Sequence, residues 1–157
     1  MSHGENFQDQ GEENNLAKPT RRSQRGSTME IVKFQIPRNS KIFLLEDSQQ
    51  RIDWFKKRLP NLVLAERTDK AIEILSTTHE PFDFVFLDHD LGILDASGFI
   101  DDAIGNGEIV AKHLASQGFL GHNVCIHSWN PEGALRMKNV LNNAIVIPFG
   151  RFEIQVI

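Results

Sequence analysis

From about residue 40 onward, short apolar runs alternate with longer stretches in which apolar residues recur at helical spacing. The apolar runs predict five strands, at residues 41–45, 62–65, 82–87, 124–126 and 144–147. The stretches between them predict helices at residues 48–59, 69–76, 108–116 and 131–141. Strands that are apolar along their whole length are typical of a parallel sheet covered on both faces. The chain is therefore predicted to form a three-layer α/β fold, with a doubly wound, five-stranded parallel sheet between two layers of helices.

Three segments depart from this alternation. Residues 88–106 form a long connection rich in Gly, Asp and Asn, and connections of that length are often lids over a site. Residues 148–157 alternate apolar and polar positions like an edge strand and do not predict a closing helix. Residues 29–36 alternate in the same way, so we expect them to pair either with that strand or with the edge of the sheet.

Composition separates the beginning of the chain from the rest. Residues 1–28 hold few apolar side chains and are predicted to be a disordered tail, leaving residues 29–157 as the folded domain. The tail contains a basic stretch that either contacts a nucleic-acid backbone or is simply a solvated linker. The basic residues are Lys18, Arg21, Arg22 and Arg25.

Charge and cysteine content exclude several classes of protein. The net charge of −4 argues against a general nucleic-acid coat, and the single cysteine, Cys125, excludes an internal disulfide. No apolar stretch approaches the length of a membrane span, and no signal peptide is present. We therefore expect a soluble, cytoplasmic protein with no membrane partner.

Three of the predicted strands end directly in clusters of titratable or polar residues. The clusters are Glu46 and Asp47 after the first strand, Asp88, His89 and Asp90 after the third, and His127, Ser128, Trp129 and Asn130 after the fourth. In an open parallel sheet, ligands bind in the crevice outside the carboxyl ends of the strands. Residues about 40 positions apart in sequence are therefore expected to meet in one pocket.

These features resemble the receiver domain of two-component response regulators over about residues 40–150. The resemblance implies a flavodoxin-like sheet of order 2-1-3-4-5 and gives the strand-end residues family roles. Glu46 and Asp47 match the acidic pair that holds Mg²⁺, Asp88 matches the phosphoacceptor, and Ser128 lies near the hydroxyl position. Pro148 and Phe149 match the dipeptide that follows the last strand, so residues 29–157 are expected to form a receiver-like domain.

The departures from the receiver pattern indicate a narrower family. The position of the receiver lysine is Ile147, and residues 89–92, His-Asp-Leu-Gly, replace the usual Pro-rich turn. Residues 87–91, Leu-Asp-His-Asp-Leu, and residues 127–130, His-Ser-Trp-Asn, resemble the cyclic-phosphate processing receiver domains. That resemblance implies action on cyclic phosphate ends or cyclic nucleotides.

Carboxylates at this edge favour a divalent cation. Asp47 and Asp88 are expected to face each other across adjacent strands, and two close carboxylates repel unless a cation lies between them. Oxygen ligands favour Mg²⁺ or Mn²⁺, with Asp90 and Glu46 as further ligands. For Asp47 the alternative is capping of the next helix together with Gln50. For Asp88 and Asp90 it is solvation of a loop.

Two histidines are the candidates for proton transfer. Opening a cyclic phosphodiester requires a base for the attacking water and an acid for the leaving oxygen, and His89 and His127 suit both roles. His127 is expected at the exposed end of its strand, so that its replacement by alanine leaves the fold intact. Asn130 either orients an imidazole, binds a phosphate oxygen, or caps the helix that begins at residue 131.

The remaining candidates contact the substrate. Ser128 is expected to bind the phosphate together with Asn130. Gly107 begins a predicted helix whose backbone amides can hold an anion, although a tight turn explains the glycine equally well.

Two functional hypotheses follow. The first is a metal-assisted phosphoesterase that processes the cyclic phosphate of a nucleotide or an RNA terminus. The second is a non-enzymatic receiver-like module for signalling or partner binding, with Asp88 at the phosphoacceptor position.

Overall fold

The computed structural model describes residues 30–91, 106–119 and 121–157. The predicted tail at residues 1–28 and most of the predicted lid, residues 92–105, lie outside the described residues.

Seven strands and four helices make up the described part of the chain. The strands are β1 (Val32–Ile36), β2 (Ile42–Leu45), β3 (Val63–Ala65), β4 (Phe84–Leu87), β5 (Val124–Ile126), β6 (Ile145–Val146) and β7 (Phe152–Val156). The helices are α1 (Gln49–Arg58), α2 (Thr68–Thr77), α3 (Gly107–Ser116) and α4 (Pro131–Val140). Each of the five strands and four helices predicted from the alternation is present, with ends that differ by at most two residues from the prediction. None of these helices has the length and apolar character needed to cross a membrane.

The main sheet is parallel throughout and has the order β3-β2-β4-β5-β6. Counted over the five strands predicted from the sequence, this is the order 2-1-3-4-5, which confirms the receiver-like, flavodoxin-like topology. Leu45 of β2 pairs with Leu87 of β4, and Leu87 in turn pairs with Ile126 of β5. The residues that follow these three therefore lie side by side at the carboxyl edge of the sheet.

Side-chain alternation along the strands divides the core into two clusters. One face of the sheet packs against α2, α3 and α4 through residues such as Leu45, Leu87 and Ile126. The other face packs against α1 and the terminal strands through residues such as Leu44, Phe86 and Phe55. Because side chains alternate between the faces, the polar side chain that follows each of β2, β4 and β5 points to the face of the second cluster.

The two terminal strands form a sheet of their own. β1 and β7 pair in parallel, from Val32 with Phe152 to Ile36 with Val156. Of the two partners considered for residues 29–36, the chain uses the C-terminal strand and not the edge of the main sheet. The alternating apolar positions, among them Phe34 and Ile154, are buried in the second cluster. No closing helix follows β6, as the alternation predicted.

Phe34 joins the small sheet to the main sheet. Its side chain is fully buried, and its ring lies 6.2 Å from that of Phe86 and 5.5 Å from that of Phe152.

We expect Phe34→Ala to lower the free energy of unfolding by about 3–5 kcal/mol because it opens a cavity between the two sheets. Urea unfolding measures the loss. Ile31→Ala is the control, because Ile31 is 55% exposed and its truncation is expected to change stability little. Equal effects of the two substitutions would show that the small sheet does not support the core.

Candidate functional site

Three polar side chains form a row at the carboxyl edge of the sheet. Glu46, Asp88 and His127 directly follow the paired residues of β2, β4 and β5, and all three are buried. One ligand atom of each lies within 4.8 Å of the other two. Backbone hydrogen bonds continue the ladder through the row, since the Asp88 amide donates to the Leu45 carbonyl and the His127 amide to the Leu87 carbonyl. The register of the strands therefore fixes the spacing of the three groups.

Glu46 is the most fully satisfied member of the row. Its Oε1 accepts hydrogen bonds from the amides of Asp47 and Ser48, each at 3.1 Å. Its Oε2 lies 2.7 Å from His127 Nε2. Burial alone would raise the pKa of this carboxyl, but His127, the Ser48 amide and Arg51 together hold the pKa below its ordinary value. Glu46 is therefore an anion embedded in the protein.

His127 is fully buried, so the expectation that it lies at an exposed strand end is wrong. The side chain after Ile126 turns towards α1, where its ring lies 5.4 Å from that of Phe55. Its Nε2 faces Glu46, and its Nδ1 has no hydrogen-bond partner among the described residues. A fully buried ring supports the core as well as the site, so replacement by alanine is not expected to leave the fold intact.

Arg51 is a site residue that the sequence interpretation missed. Its Nη1 lies 3.9 Å from Glu46 Oε2 and 4.0 Å from Asp88 Oδ2, and its guanidinium lies 5.2 Å from the centre of the Phe149 ring. The signal was its place in the first turn of α1, a helix that starts immediately after a strand. Side chains there point back over the edge of the sheet where ligands bind. Arg51 brings a cation to that edge.

Asp88 lies next to Glu46 and His127 in the row, 4.0 Å from Arg51, and is buried. Burial is the largest influence and, with the nearby Glu46 anion, raises the pKa of Asp88 to about 6, against the opposing effects of His127 and Arg51. Its Oδ1 accepts a hydrogen bond from the His89 amide at 2.9 Å. A carboxyl group that is costly to ionise in the protein alone is suited to bind a cation that stabilises its anion.

A second group of polar side chains lies next to the row. His89 Nδ1 is 2.7 Å from Asp90 Oδ1, and Asn130 Nδ2 donates to the same oxygen at 3.1 Å. Asn130 Oδ1 also accepts a hydrogen bond from the Gly133 amide at 3.0 Å. Asn130 therefore both caps α4 and orients the Asp90 carboxylate. Burial of Asp90 is outweighed by its hydrogen bonds to His89 and Asn130, which lower its pKa. Asp90 is therefore ionised at neutral pH.

The His89 ring is held in place by backbone packing. A Cβ at Gly133 would come within 2.5 Å of the ring, so glycine is required where the first turn of α4 passes over it. His89 is buried, and its Nε2 has no hydrogen-bond partner among the described residues. The imidazole thus lies behind Asp90, on the protein side.

The two groups border one open cavity of about 200 Å³. Its lining residues are Glu46, Asp47, Ser48, Arg51, Asp88, Asp90, Ser128 and Trp129. Neither His89 nor His127 is among them, so both histidines reach the cavity only through the carboxylates that they contact. Ser128 Oγ accepts a hydrogen bond from the Asn130 amide at 3.0 Å, which fixes the turn after β5.

Two predicted site residues have other surroundings than expected. Asp47 lines the cavity, but the N-cap position of α1 is Ser48, one residue later than the capping interpretation required. Gly107 donates its amide to the His89 carbonyl at 2.9 Å and is not among the cavity's lining residues. A Cβ there would lie 2.0 Å from the Asp88 carbonyl oxygen, so this glycine permits α3 to pack closely against the strand end.

A larger cavity of about 260 Å³ lies between α2 and α3. Its walls mix apolar residues, such as Leu75 and Phe82, with polar ones, such as His79 and His113, and none of the polar residues that follow β2, β4 and β5 reaches it. The smaller cavity is therefore the candidate site.

A protein-family comparison agrees with this geometry. The model of the cyclic-phosphate processing receiver domain matches residues 41–143, more than half of the chain. The chain belongs to this family. The match spans the whole run from β2 to the end of α4, and with it every residue of the row and of the second group. No curated protein matches the chain.

Two solved structures align with most of the chain. A fusion protein carrying the yeast Spc42 trimeric coiled-coil segment aligns with a TM-score of 0.50 and 17% identity, over 76% of this chain and 69% of that one. The receiver domain of the Francisella response regulator 1452 aligns with a TM-score of 0.48 and 16% identity, over 74% of this chain and 84% of that one. The first of these likenesses supports the fold alone.

The buried position of Asp88 has a measurable cost. Its pKa is about 6 in the folded protein against an ordinary value of 3.8, so ionisation above pH 6 is less favourable in the folded than in the unfolded chain. A pKa difference of about 2 corresponds to about 3 kcal/mol. We expect Asp88→Asn to raise the free energy of unfolding of the metal-free protein by about 1–3 kcal/mol at pH 8 and much less at pH 5. Chemical unfolding in EDTA at both pH values measures this, and an equal effect at the two would contradict it.

Proposed function

We propose that this protein is a metal-assisted phosphoesterase that opens the cyclic phosphate of a nucleotide or of an RNA terminus. The observation that carries the proposal is the buried row of Glu46, Asp88 and His127 beside an open cavity. Membership of the cyclic-phosphate processing family supports the substrate class.

The charges around the cavity require a cation before they can hold a phosphate. The lining residues include four carboxylates, Glu46, Asp47, Asp88 and Asp90, and one cation, Arg51, within the part of the chain that the structure describes. That balance repels an anionic phosphodiester. A divalent ion held by these carboxylates would offset most of that repulsion where the substrate binds.

The residues of the row fit such an ion. Two carboxylates and an imidazole offer ligand atoms within 4.8 Å of one another, and the two carboxylates, Glu46 and Asp88, line the cavity directly. Oxygen-rich sites favour Mg²⁺ or Mn²⁺, with Asp47 and Asp90 in reach of the same cavity. When bound, the ion would polarise a phosphoryl oxygen and acidify a water molecule.

The other residues supply charge and proton transfer. Arg51 binds the phosphoryl oxygens, because its guanidinium faces the cavity beside the row. Asp90 is ionised and half exposed, so it accepts a proton from the attacking water as the new P–O bond forms. It returns that proton to the ester oxygen as the old P–O bond breaks. His89 and Asn130 position Asp90, and His127 positions Glu46.

We expect turnover of 2′,3′-cyclic or 3′,5′-cyclic nucleotides to require Mg²⁺ or Mn²⁺ and to depend on Asp90. Asp90→Asn removes the proton acceptor and is expected to lower kcat roughly 10²–10⁴-fold while metal binding persists. Chromatography of the products measures turnover, and calorimetry measures metal affinity.

Two other variants test metal binding and provide a control. Glu46→Gln is expected to weaken metal binding itself, whereas the exposed Glu73→Gln on α2 is the control and should change neither quantity. Full activity of Asp90→Asn would overturn its role as proton carrier. Absence of turnover for every cyclic phosphate, with metal bound, would overturn the enzymatic proposal.

A phosphorylated receiver-like module is the second candidate, because Asp88 ends the middle strand β4 at the phosphoacceptor position. Ile147 weakens this alternative. It is buried and apolar where receivers place a lysine for the phosphoryl group, and it cannot neutralise phosphoryl oxygens.

We expect treatment with acetyl phosphate and Mg²⁺ to leave Asp88 without a stable adduct of about 80 Da. Intact-mass measurement at neutral pH checks this, with Asp88→Asn as the control. Stoichiometric, acid-labile labelling that Asp88→Asn abolishes would favour the signalling module.

A further inference from the structure

Trp129 is an exposed aromatic side chain on the rim of the cavity. It is 53% exposed, although large apolar rings are usually well covered in folded proteins. It lines the same cavity as Arg51 and Asp88. An exposed ring of this kind can also be a loose surface side chain without a function.

The indole is held in a fixed orientation, which argues against that explanation. Its Nε1 donates to the Phe149 carbonyl at 2.9 Å, and the Arg151 guanidinium lies 5.7 Å from the ring centre. The Phe149 amide donates in turn to the His127 carbonyl at 2.9 Å. Because the polar atom of the indole is bonded to the backbone, what remains exposed is π surface. The ring is thus rigidly joined to the strand that carries His127.

The size of the cavity indicates what that surface contacts. Pockets that enclose a drug-sized ligand have volumes of roughly 300–1,000 Å³. The cavity beside the row measures about 200 Å³, which accommodates a phosphate and part of a sugar but not a whole nucleotide. The base of a substrate whose phosphate lies beside Asp88 must therefore project over the rim, where Trp129 stands.

We propose that Trp129 is the platform on which the nucleobase of the substrate stacks, an inference that rests on the proposed function. Stacking on an exposed indole tolerates every base, because each base has a π face. The substrate class is accordingly a cyclic phosphate attached to a nucleoside, and cyclic phosphates without a base are bound weakly.

Fluorescence tests the contact without requiring turnover. The chain has two tryptophans, so Trp54→Phe leaves Trp129 as the reporter. Titration of that variant with adenosine 2′,3′-cyclic phosphate in Mg²⁺ is expected to quench the emission, whereas 1-O-methylribose 2,3-cyclic phosphate is expected to leave it unchanged. Equal responses to the two compounds, or no response to the nucleotide, would overturn the platform.

Kinetics separate this inference from the proposed function. Trp129→Ala is expected to raise KM for the nucleotide roughly 10- to 100-fold with little change in kcat, and to leave the base-free compound unaffected. Trp129→Phe should recover most of the affinity because it restores an aromatic face. Leu135→Ala, at a residue 60% exposed on α4, is the control for loss of exposed apolar surface and should behave as the parent protein.

The outcomes are distinguishable. Turnover of both compounds with equal KM in the parent protein would overturn the platform while the phosphoesterase proposal stands. Turnover of neither compound would contradict the phosphoesterase, and selective quenching by the nucleotide would then still support a base-stacking site.

Discussion

The contact between Glu46 and His127 is the interaction on which the rest of the site depends. Both side chains are completely buried, and their closest atoms are 2.7 Å apart. A buried carboxylate carries a large desolvation penalty, and His127 is the partner of the Glu46 oxygen that the backbone amides leave unpaired. Their contact spans β4 from the end of β2 to the end of β5, over the position of Asp88. The pair therefore sets an anion beside Asp88 at a distance determined by the strand register.

Burial of the row costs the protein stability. Asp88 and Glu46 lie in the same row, and burial with the like charge raises the pKa of Asp88 to about 6. Arg51 reaches both carboxylates only at about 4 Å and therefore offsets part of the repulsion. Phe55, a fully buried member of the second cluster, packs against the His127 ring at 5.4 Å. Sites of this kind are destabilising until a ligand supplies the missing charge, which is the expected signature of a functional cluster.

The sequence predicted the sheet because fully apolar strands and helical spacing are local signals, and it predicted the meeting of the strand ends because parallel strands share an edge. It did not predict the burial of His127, which depends on which face the side chain after Ile126 turns to. Nor did it reveal Arg51, a residue in a helix whose contacts are all made through tertiary structure. The pairing of β1 with β7 remained one of two alternatives. Alternating apolar and polar residues indicate a strand with one buried face, but they do not indicate which strand it pairs with.

The source of positive charge distinguishes this site from the receiver pattern that it resembles. A receiver has a lysine at the end of its last strand, and that lysine binds the phosphoryl group on the phosphoacceptor. This chain has the buried Ile147 at that position. Here the cation comes from α1, as Arg51, and lies about 4 Å from both Glu46 and Asp88. The segment after β6 instead supports the cavity, because Phe149 contacts Arg51 with its ring and Trp129 with its carbonyl. A positive φ of 91° at Gly150 then turns the chain towards β7. This geometry builds one wall of the cavity from the segment that a receiver uses to sense its own phosphorylation, and it is the physical reason for which we propose an enzyme and not a switch.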